Sequence, residues 1–141
     1  MLRMNDVSVR AAVAFAAAVF WSAPSADAAE ILVPNQHPTI QAAINASANG
    51  DTIIVASGTY NELIRFFGKA VTLRSESGPA TTIIDGGQLG TTVKFANAET
   101  AATVLEGFTI RNGRAAVGGG VYINSASPTI RDCVFTANTA L

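Results

Sequence analysis

Few residues in this chain of 141 have the types and spacing that catalysis requires. The carboxylates of Asp85, Glu99, Glu106 and Asp132 fall in different segments, and no two of them stand on one predicted strand. Hydrolysis of a glycosidic bond needs two placed carboxylates, and calcium-dependent elimination needs several around the ion together with a base. The sequence therefore predicts no catalytic residue, no metal site and no cofactor in this chain.

The remaining reactive side chains have structural interpretations. Asp85, in IIDGG, and Asp132, in IRDC, occupy turn-like positions where an aspartate bonds its own backbone. His37, the single histidine, stands just before a predicted helix, where a histidine is ordinarily structural or solvated. Cys133, the single cysteine, can form no internal disulfide, so we expect its thiol to be buried as a small apolar group.

A binding surface is the other possible source of function. Its candidates are Thr109, Arg111, Arg131 and Thr136, which we expect to point outward from two similar strand segments. A flat sheet that carries hydroxyl and guanidinium groups can hold an acidic polysaccharide, because arginine binds carboxylates in a bidentate manner. The competing interpretation, which the sequence favours, is an ordinary solvated face.

The charge balance argues against two classes of partner. From Glu30 onward the chain has seven Lys or Arg and eight Asp or Glu, a net charge of −1 with no run of either sign. Nucleic acid and anionic membranes both require clustered basic charge. We therefore expect neither as a partner.

The N-terminal segment has the order of a secretory signal peptide. Arg3 and Arg10 precede the apolar run AAVAFAAAVFW. The small residues of ADAAE offer a cleavage site after Ala28 or Ala29. The run is about half of the roughly 20 apolar residues that a spanning helix needs. No cysteine follows the site, so a lipid anchor is not expected.

Export follows from this segment. We predict a secreted, periplasmic or cell-surface protein with no membrane span once the signal is removed. Residues 1–29 are the signal peptide and residues 30–141 are one domain.

The elements of that domain begin with one helix. NQHPTIQAAINASANGD predicts a helix with Pro38 in its first turn and Gly50 as its stop. Its apolar face has the helical spacing of Ile40, Ala43, Ile44 and Ser47 or Ala48. Short strands separated by turn residues follow, at 52–56, 63–67, 70–75, 81–86, 92–96, 104–113, 120–124 and 129–138.

The strands repeat at a constant spacing. The offset from Leu105 to Ile130 is the same as that from Phe108 to Cys133 and from Ile110 to Phe135, and a slightly longer offset relates Val93 to Val121. Repeats of roughly 20–30 residues, built from short strands and turns, are typical of a solenoid whose coils bury their inner faces against one another. An immunoglobulin-like sandwich is the alternative, but it would favour two-residue hairpins, which are scarce here.

The chain resembles a known family in PTIQAAINASANGDTIIVASGTYNE, GKAVTLRSESGPATTIIDGG, VLEGFTIRNG and GGGVYINSASPTIRDCVFTAN. These stretches are similar to the right-handed parallel β-helix proteins of the pectin-lyase-like superfamily, above all to exported bacterial β-helix repeat proteins. The resemblance implies an all-β, right-handed parallel β-helix of about four coils behind an N-terminal capping α-helix. Cys133 would then stack over or under Phe108 inside the solenoid.

The resemblance implies less about chemistry. TIQAAI and SGTYNE look like the opening of pectin methylesterases, but the catalytic aspartates and glutamines of that family lie further along the chain than this sequence reaches. We therefore predict an exported scaffold that binds or processes polysaccharide, without a complete catalytic site of its own. The chain as given is not expected to be an enzyme.

Two alternatives remain open. GGVYI and FTAN resemble the repeats of polymorphic outer-membrane autotransporter passengers, which would make this a cell-surface adhesion protein. The last coil, ending in FTANTAL, has no predicted cap, although terminal repeats of solenoids normally need one. We therefore expect either a fragment of a longer polysaccharide lyase, hydrolase or esterase, or self-association through the uncapped C-terminal coil.

Overall fold

The computed structural model of the chain describes residues 27–141, so most of the predicted signal peptide lies outside the described residues. The described part contains one helix and a series of short strands. The helix is α1 (Ile40–Ala46). The strands are β1 (Glu30–Val33), β2 (Thr52–Val55), β3 (Gly58–Asn61), β4 (Ile64–Arg65), β5 (Thr72–Ser75), β6 (Thr82–Asp85), β7 (Val93–Phe95), β8 (Val104–Glu106), β9 (Thr109–Arg111), β10 (Arg114–Ala115), β11 (Val121–Ile123), β12 (Thr129–Arg131), β13 (Val134–Thr136) and β14 (Thr139–Ala140).

The strands form parallel sheets that the chain visits in turn. Sheet A has the order β1-β2-β5-β8-β12, sheet B the order β3-β6-β9-β13, and sheet C the order β4-β7-β11, while β10 pairs with β14. Each circuit adds one strand beside its predecessor in each sheet, so the protein is a parallel β-solenoid of about four turns. The predicted fold class, a mostly β solenoid with one short helix, is confirmed.

The register confirms the spacing found in the sequence. Leu105 pairs with Ile130, Ile110 with Phe135 and Val93 with Val121. Leu105 and Ile110 are completely buried, as is Phe108 in the bend between their strands. The inner positions of one coil therefore stack on those of the next.

The last coil is less buried than the sequence analysis predicts. Phe135 is 49% exposed, and Ile130 and Cys133 pack only partly against the core. Strands β12 and β13 end the order of their sheets, so no described coil covers their far side. Cys133 is therefore only partly buried, and the expectation of a buried thiol is wrong to that extent. Partial burial still raises the pKa of the Cys133 thiol.

Two predicted long strands are each broken by a bend. Gly107 has φ +80° and Asp132 has φ +53°, and these left-handed residues turn the chain from sheet A into sheet B. A Cβ at Gly107 would come within 2.5 Å of the Ser75 hydroxyl oxygen, so both the conformation and the space favour glycine there. Each bend thus allows one apolar segment to contribute a strand to sheet A and a strand to sheet B.

Helix α1 covers the N-terminal end of the solenoid. Its N-cap is Thr39, whose hydroxyl oxygen accepts a hydrogen bond from Ala42 N at 3.1 Å, so Pro38 precedes the helix instead of lying in its first turn. Ile40 and Ile44 are buried in the core and the helix contacts β1, β2 and β4. It therefore occupies the space that a preceding coil would fill.

Coil residues hold both ends of this helix. The carboxylate of Glu62 accepts hydrogen bonds from Ile40 N at 2.9 Å and Gln41 N at 3.0 Å. The ammonium of Lys69 donates to the carbonyls of Ile44 and Ser47 at 2.7 Å and of Asn45 at 2.8 Å. A negative group at the helix start and a positive one at its end both complement the peptide dipoles.

Two glutamines cover the open strand edges beside the helix. Gln41 donates to Arg65 O at 3.0 Å and accepts from Arg65 N at 2.8 Å, so its amide takes the place of a neighbouring strand. Gln36 accepts from Leu32 N at 2.6 Å, and its own backbone N–H donates to Leu32 O at 2.8 Å. Strand edges whose backbone groups are already hydrogen-bonded do not favour pairing with another chain.

No helix in the described part is long and apolar enough to cross a membrane.

Candidate functional site

The four binding residues predicted from the sequence lie on two different sheets. Thr109, Arg111 and Thr136 belong to sheet B, whereas Arg131 lies on sheet A. In sheet B, Thr136 pairs with Arg111 and Arg111 with Asp85. The structure therefore brings three of the four together and places the second arginine on another wall of the solenoid.

Arg111 has a carboxylate partner within its own sheet. Its Nε lies 2.8 Å from Oδ2 of Asp85, which also accepts from Asn112 Nδ2 at 2.9 Å. The other oxygen, Oδ1, accepts from Gly87 N at 2.9 Å, as expected of an aspartate at a turn. Burial acts to raise the pKa of Asp85, but the hydrogen bonds from Gly87, Arg111 and Asn112 outweigh it and hold the pKa below its ordinary value.

The other predicted residues are also engaged. Arg131 Nη2 lies 2.8 Å from Glu106 Oε2, and this hydrogen bond and its charge raise the pKa of the guanidinium. Thr109 donates its hydroxyl to Pro79 O at 2.7 Å, while Thr136 is exposed. Because each arginine already faces a carboxylate, these residues present little net positive charge to an anion.

Sheet C carries a second polar row that the sequence analysis did not identify. Arg65 pairs with Lys94, and Lys94 pairs with Tyr122, on three successive strands. Their strand neighbours Ile64 and Val93 are completely buried. Alternation along a strand therefore places the row of Arg65, Lys94 and Tyr122 on the outer face, with about 4.8 Å between strands.

The two cations of this row lack carboxylate partners. Within residues 27–141 the ion pairs are Arg111–Asp85 and Arg131–Glu106, and neither Arg65 nor Lys94 takes part in one. Lys94 Nζ instead lies 5.3 Å from the centre of the Tyr122 ring, a distance typical of a cation–π contact. The row thus combines uncompensated positive charge with an aromatic side chain.

An open groove adjoins this row. Its volume is about 260 Å³, and it is lined by Thr91, Lys94, Ala115, Ala116, Val117 and Tyr122. Small and apolar residues of the loop before β11 form its far side. Such a surface can hold a flat or ring-shaped anionic group, with Lys94 facing its charge and the Tyr122 ring facing its apolar part.

Carboxylates are not grouped in the same way. A smaller cavity of about 100 Å³ has Glu62 and Asp85 in its lining, but both side chains are engaged as described above. Among the described residues no three His, Cys, Asp or Glu side chains lie close enough together to hold a metal ion. The cationic row on sheet C is therefore the feature from which we infer a function.

A sequence signal for the row on sheet C does exist. Ile64-Arg65-Phe66 and Val93-Lys94-Phe95 share one pattern, and the offset that relates Val93 to Val121 also relates Lys94 to Tyr122. The match is hard to see because the offset from Arg65 to Lys94 differs from that between Lys94 and Tyr122. The row is therefore visible only when the inward residues are aligned first.

The motifs that suggested an adhesion repeat have a packing explanation. Asn138, the last residue of FTAN, accepts from Gly113 N at 2.8 Å and donates to Ile110 O at 2.9 Å, which ties the last coil to the one before it. Gly120, the second glycine of GGVYI, approaches Asn138 so closely that a Cβ would lie 2.7 Å from its Nδ2 atom. Both motifs thus join neighbouring coils.

Together, the stacked parallel sheets and the helix at one end define a parallel β-solenoid repeat protein. No protein-family model matches the chain, and no curated protein matches it either.

Proposed function

We propose that this protein is exported and that the outer face of sheet C binds an acidic polysaccharide. The observation that carries the proposal is the row of Arg65, Lys94 and Tyr122 beside an open groove. The signal-like order of residues 1–29 supports export.

The chemistry of the row favours a uronate-containing chain over other anions. Guanidinium and ammonium groups can pair with the carboxylates of successive sugars. The face of an aromatic ring suits the apolar face of a pyranose. Nucleic acid is a poorer fit, because its binding needs many clustered cations and this row has two on a chain whose formal net charge is −1.

We further propose that the solenoid is right-handed and related to the pectin-lyase-like proteins. Parallel strands joined by a crossover are right-handed in about 98% of cases, and the coils here are made entirely of such crossovers. The resemblance of TIQAAI and SGTYNE to the opening of pectin methylesterases supports this relationship. Among the described residues, the carboxylates of Glu62 and Asp85 are engaged by hydrogen bonds, and the activity that we propose is binding.

Binding to oligogalacturonate measured by isothermal titration calorimetry tests this function. We expect the double variant Arg65→Ala/Lys94→Ala to bind about tenfold more weakly, the combined loss of two exposed charge contacts. Tyr122→Ala should weaken binding as well, and added salt should weaken the wild type through screening. Arg74→Ala, which removes a cation from sheet A, is the matched control and should bind like the wild type.

The residues predicted from the sequence form a second candidate surface. Thr109, Arg111 and Thr136 on sheet B, with Arg131 on sheet A, would bind the same ligand class if it displaced the carboxylates from the arginines. Arg111→Ala and Arg131→Ala in the same titration measure their share. A loss with these variants and none with Arg65→Ala/Lys94→Ala would move the site away from sheet C.

A further inference from the structure

The carboxylate of Asp51 holds the backbone nitrogen at the start of the solenoid. Its Oδ1 accepts from Ala29 N at 2.9 Å and its Oδ2 accepts from Ala48 N at 2.8 Å. The Asp51 residue is only 8% exposed. The hydrogen bonds from Ala48 and Ala29 hold its pKa below the ordinary value, and the charge of Lys69 adds to this effect.

Ala29 is fixed on its other side as well. Its carbonyl accepts from Thr52 N at 2.9 Å, and the next residue, Glu30, begins β1 in register with Thr52. The nitrogen of Ala29 is therefore the point at which the chain enters the folded solenoid. The residues before it, Asp27 and Ala28, are exposed.

The sequence places a cleavage motif at this point. Ala26-Asp27-Ala28 has small residues at the two positions that a signal peptidase reads, whereas a cut after Ala29 would put Asp27 at the first of them. We propose that the precursor is cut between Ala28 and Ala29, and that the new α-ammonium of Ala29 forms an ion pair with Asp51. The proposal goes beyond ligand binding and shares with it only the assumption of export.

The step is an ordinary hydrolysis carried out by a signal peptidase. Water adds across the Ala28–Ala29 peptide bond, the hydroxyl oxygen joins the carbonyl carbon of Ala28, and that carboxylate leaves with the signal. Both hydrogens of the water end on the nitrogen of Ala29, one on bond cleavage and one from the new carboxyl group, so this nitrogen is an ammonium at neutral pH. The hydrogen bond from the Ala29 nitrogen to the Asp51 carboxylate is already charge-assisted in the precursor. In the mature chain it also gains the Coulomb attraction between an ammonium and a carboxylate.

As a consequence, cleavage of the signal peptide stabilises the fold. In the precursor, an amide donates to Asp51; in the mature chain, an ammonium at the same place clamps β1 onto β2. Lys69, whose ammonium is held by the end of α1, is the other cation near Asp51. Removal of the signal therefore stabilises the edge strand of sheet A.

N-terminal sequencing and intact-mass measurement test the cleavage. The full-length chain is expressed in a bacterial host with its own signal peptidase and purified from the exported fraction. We expect a chain that begins at Ala29. A chain that begins at Glu30, at another residue, or at an uncut Met1 would overturn the proposal.

A second measurement tests the ion pair. Chains that begin at Ala29 and at Ala28 are prepared by site-specific cleavage of a fused tag, each with Asp51 and with Asp51→Asn. With Asp51 present, the Ala29 chain should unfold about 2–4 °C higher than the Ala28 chain, a shift typical of one modest interaction in a domain of this size. With Asp51→Asn the two should unfold together.

The pH dependence of α-amine labelling tests the ion pair separately from stability. A purely structural role of Asp51 would not change the midpoint pH of this labelling. In the Ala29 chain, labelling by an amine-reactive reagent should have a midpoint pH above the ordinary α-amino value of about 8, and Asp51→Asn should return it there. Asp132→Asn, on an exposed carboxylate in the last coil, serves as the control and should leave the midpoint unchanged. An ordinary midpoint in the chain with Asp51 would contradict the ion pair.

Discussion

Charged side chains in the described part of this protein form hydrogen bonds to backbone groups at least as often as they form ion pairs with one another. Glu62 and Lys69 bind the two ends of α1, Asp51 binds the backbone of Ala29, and Glu99, only 2% exposed, accepts from Gly68 N and Asn97 N at 2.9 Å each. Buried charges are tolerated when hydrogen bonds satisfy them. Of the four carboxylates that look isolated in the sequence, Asp85, Glu99 and Glu106 therefore have partners in the fold, whereas Asp132 is exposed.

Lys69 gives the clearest stability prediction of this kind. Lys69→Met keeps the aliphatic stem and removes three hydrogen bonds to the last carbonyls of α1. We expect a loss of about 2 kcal/mol in the free energy of unfolding, measured by denaturant titration. Lys94→Met, which also removes an ammonium but frees no carbonyl, is the control; equal losses in the two variants would show that the helix cap is not responsible.

Asp85 gives a prediction about pH. Its pKa is lowered in the folded state from the ordinary 3.8, so its stabilising effect is present above that value and is lost as the pH falls through the lower folded pKa. The melting temperature of Asp85→Asn should lie below that of the wild type at pH 6, and the difference should shrink towards pH 2. A difference that stays constant over this range would contradict the interpretation, and Asp132→Asn provides a control at an exposed carboxylate.

The strands show how far periodicity alone could predict this fold. The constant offset between successive coils predicted the pairing of Leu105 with Ile130 and of Ile110 with Phe135, because each coil must place the same apolar residues inside. Strands β1 and β3 were missed, since EILV lies against the signal segment and GTYN has a turn-like start. The two-residue strands β10 and β14 were missed as well. Their strand character comes from pairing with neighbouring coils, which local sequence does not contain.

The inward register can be tested by one substitution in two successive coils. Ile110 and Phe135 pair across β9 and β13, but Ile110 is completely buried and Phe135 is 49% exposed. Ile110→Asp would place an unpaired carboxylate in the core and should abolish folding. Phe135→Asp should remain folded with a lowered melting temperature by circular dichroism, and a folded, normally stable Ile110→Asp would show that the register is wrong.

The three walls of the solenoid differ in charge although the whole molecule is nearly neutral. On sheets A and B, Arg131 and Arg111 are each paired with a carboxylate, and Arg74 lies in register with Glu106 on sheet A. The strands of sheet C carry Arg65 and Lys94 and contain no carboxylate. A formal net charge of −1 conceals this difference, because it sums over all faces. The candidate site is therefore a property of the stacked coils.

The same reasoning explains why the site was harder to predict than the fold. Arg65, Lys94 and Tyr122 come from three coils joined by loops of unequal length, so their offsets along the chain differ. Thr109, Arg111 and Arg131 were chosen from the coils with the most regular spacing, but that regularity did not show which residues share a sheet. The ion pairs of Arg111 and Arg131 also depend on register, which turns a carboxylate from the neighbouring coil towards each guanidinium.

The most direct measurement is NMR chemical-shift mapping of the folded domain, residues 30–141, titrated with a short oligogalacturonate. If sheet C is the binding surface, the amide signals that move should cluster in β4, β7 and β11 and in the loop that includes Ala116 and Val117. The signals of sheet A should stay in place. Shifts confined to β9 and β13 would assign binding to sheet B instead, and the absence of any saturable shift at millimolar ligand would contradict the proposed function.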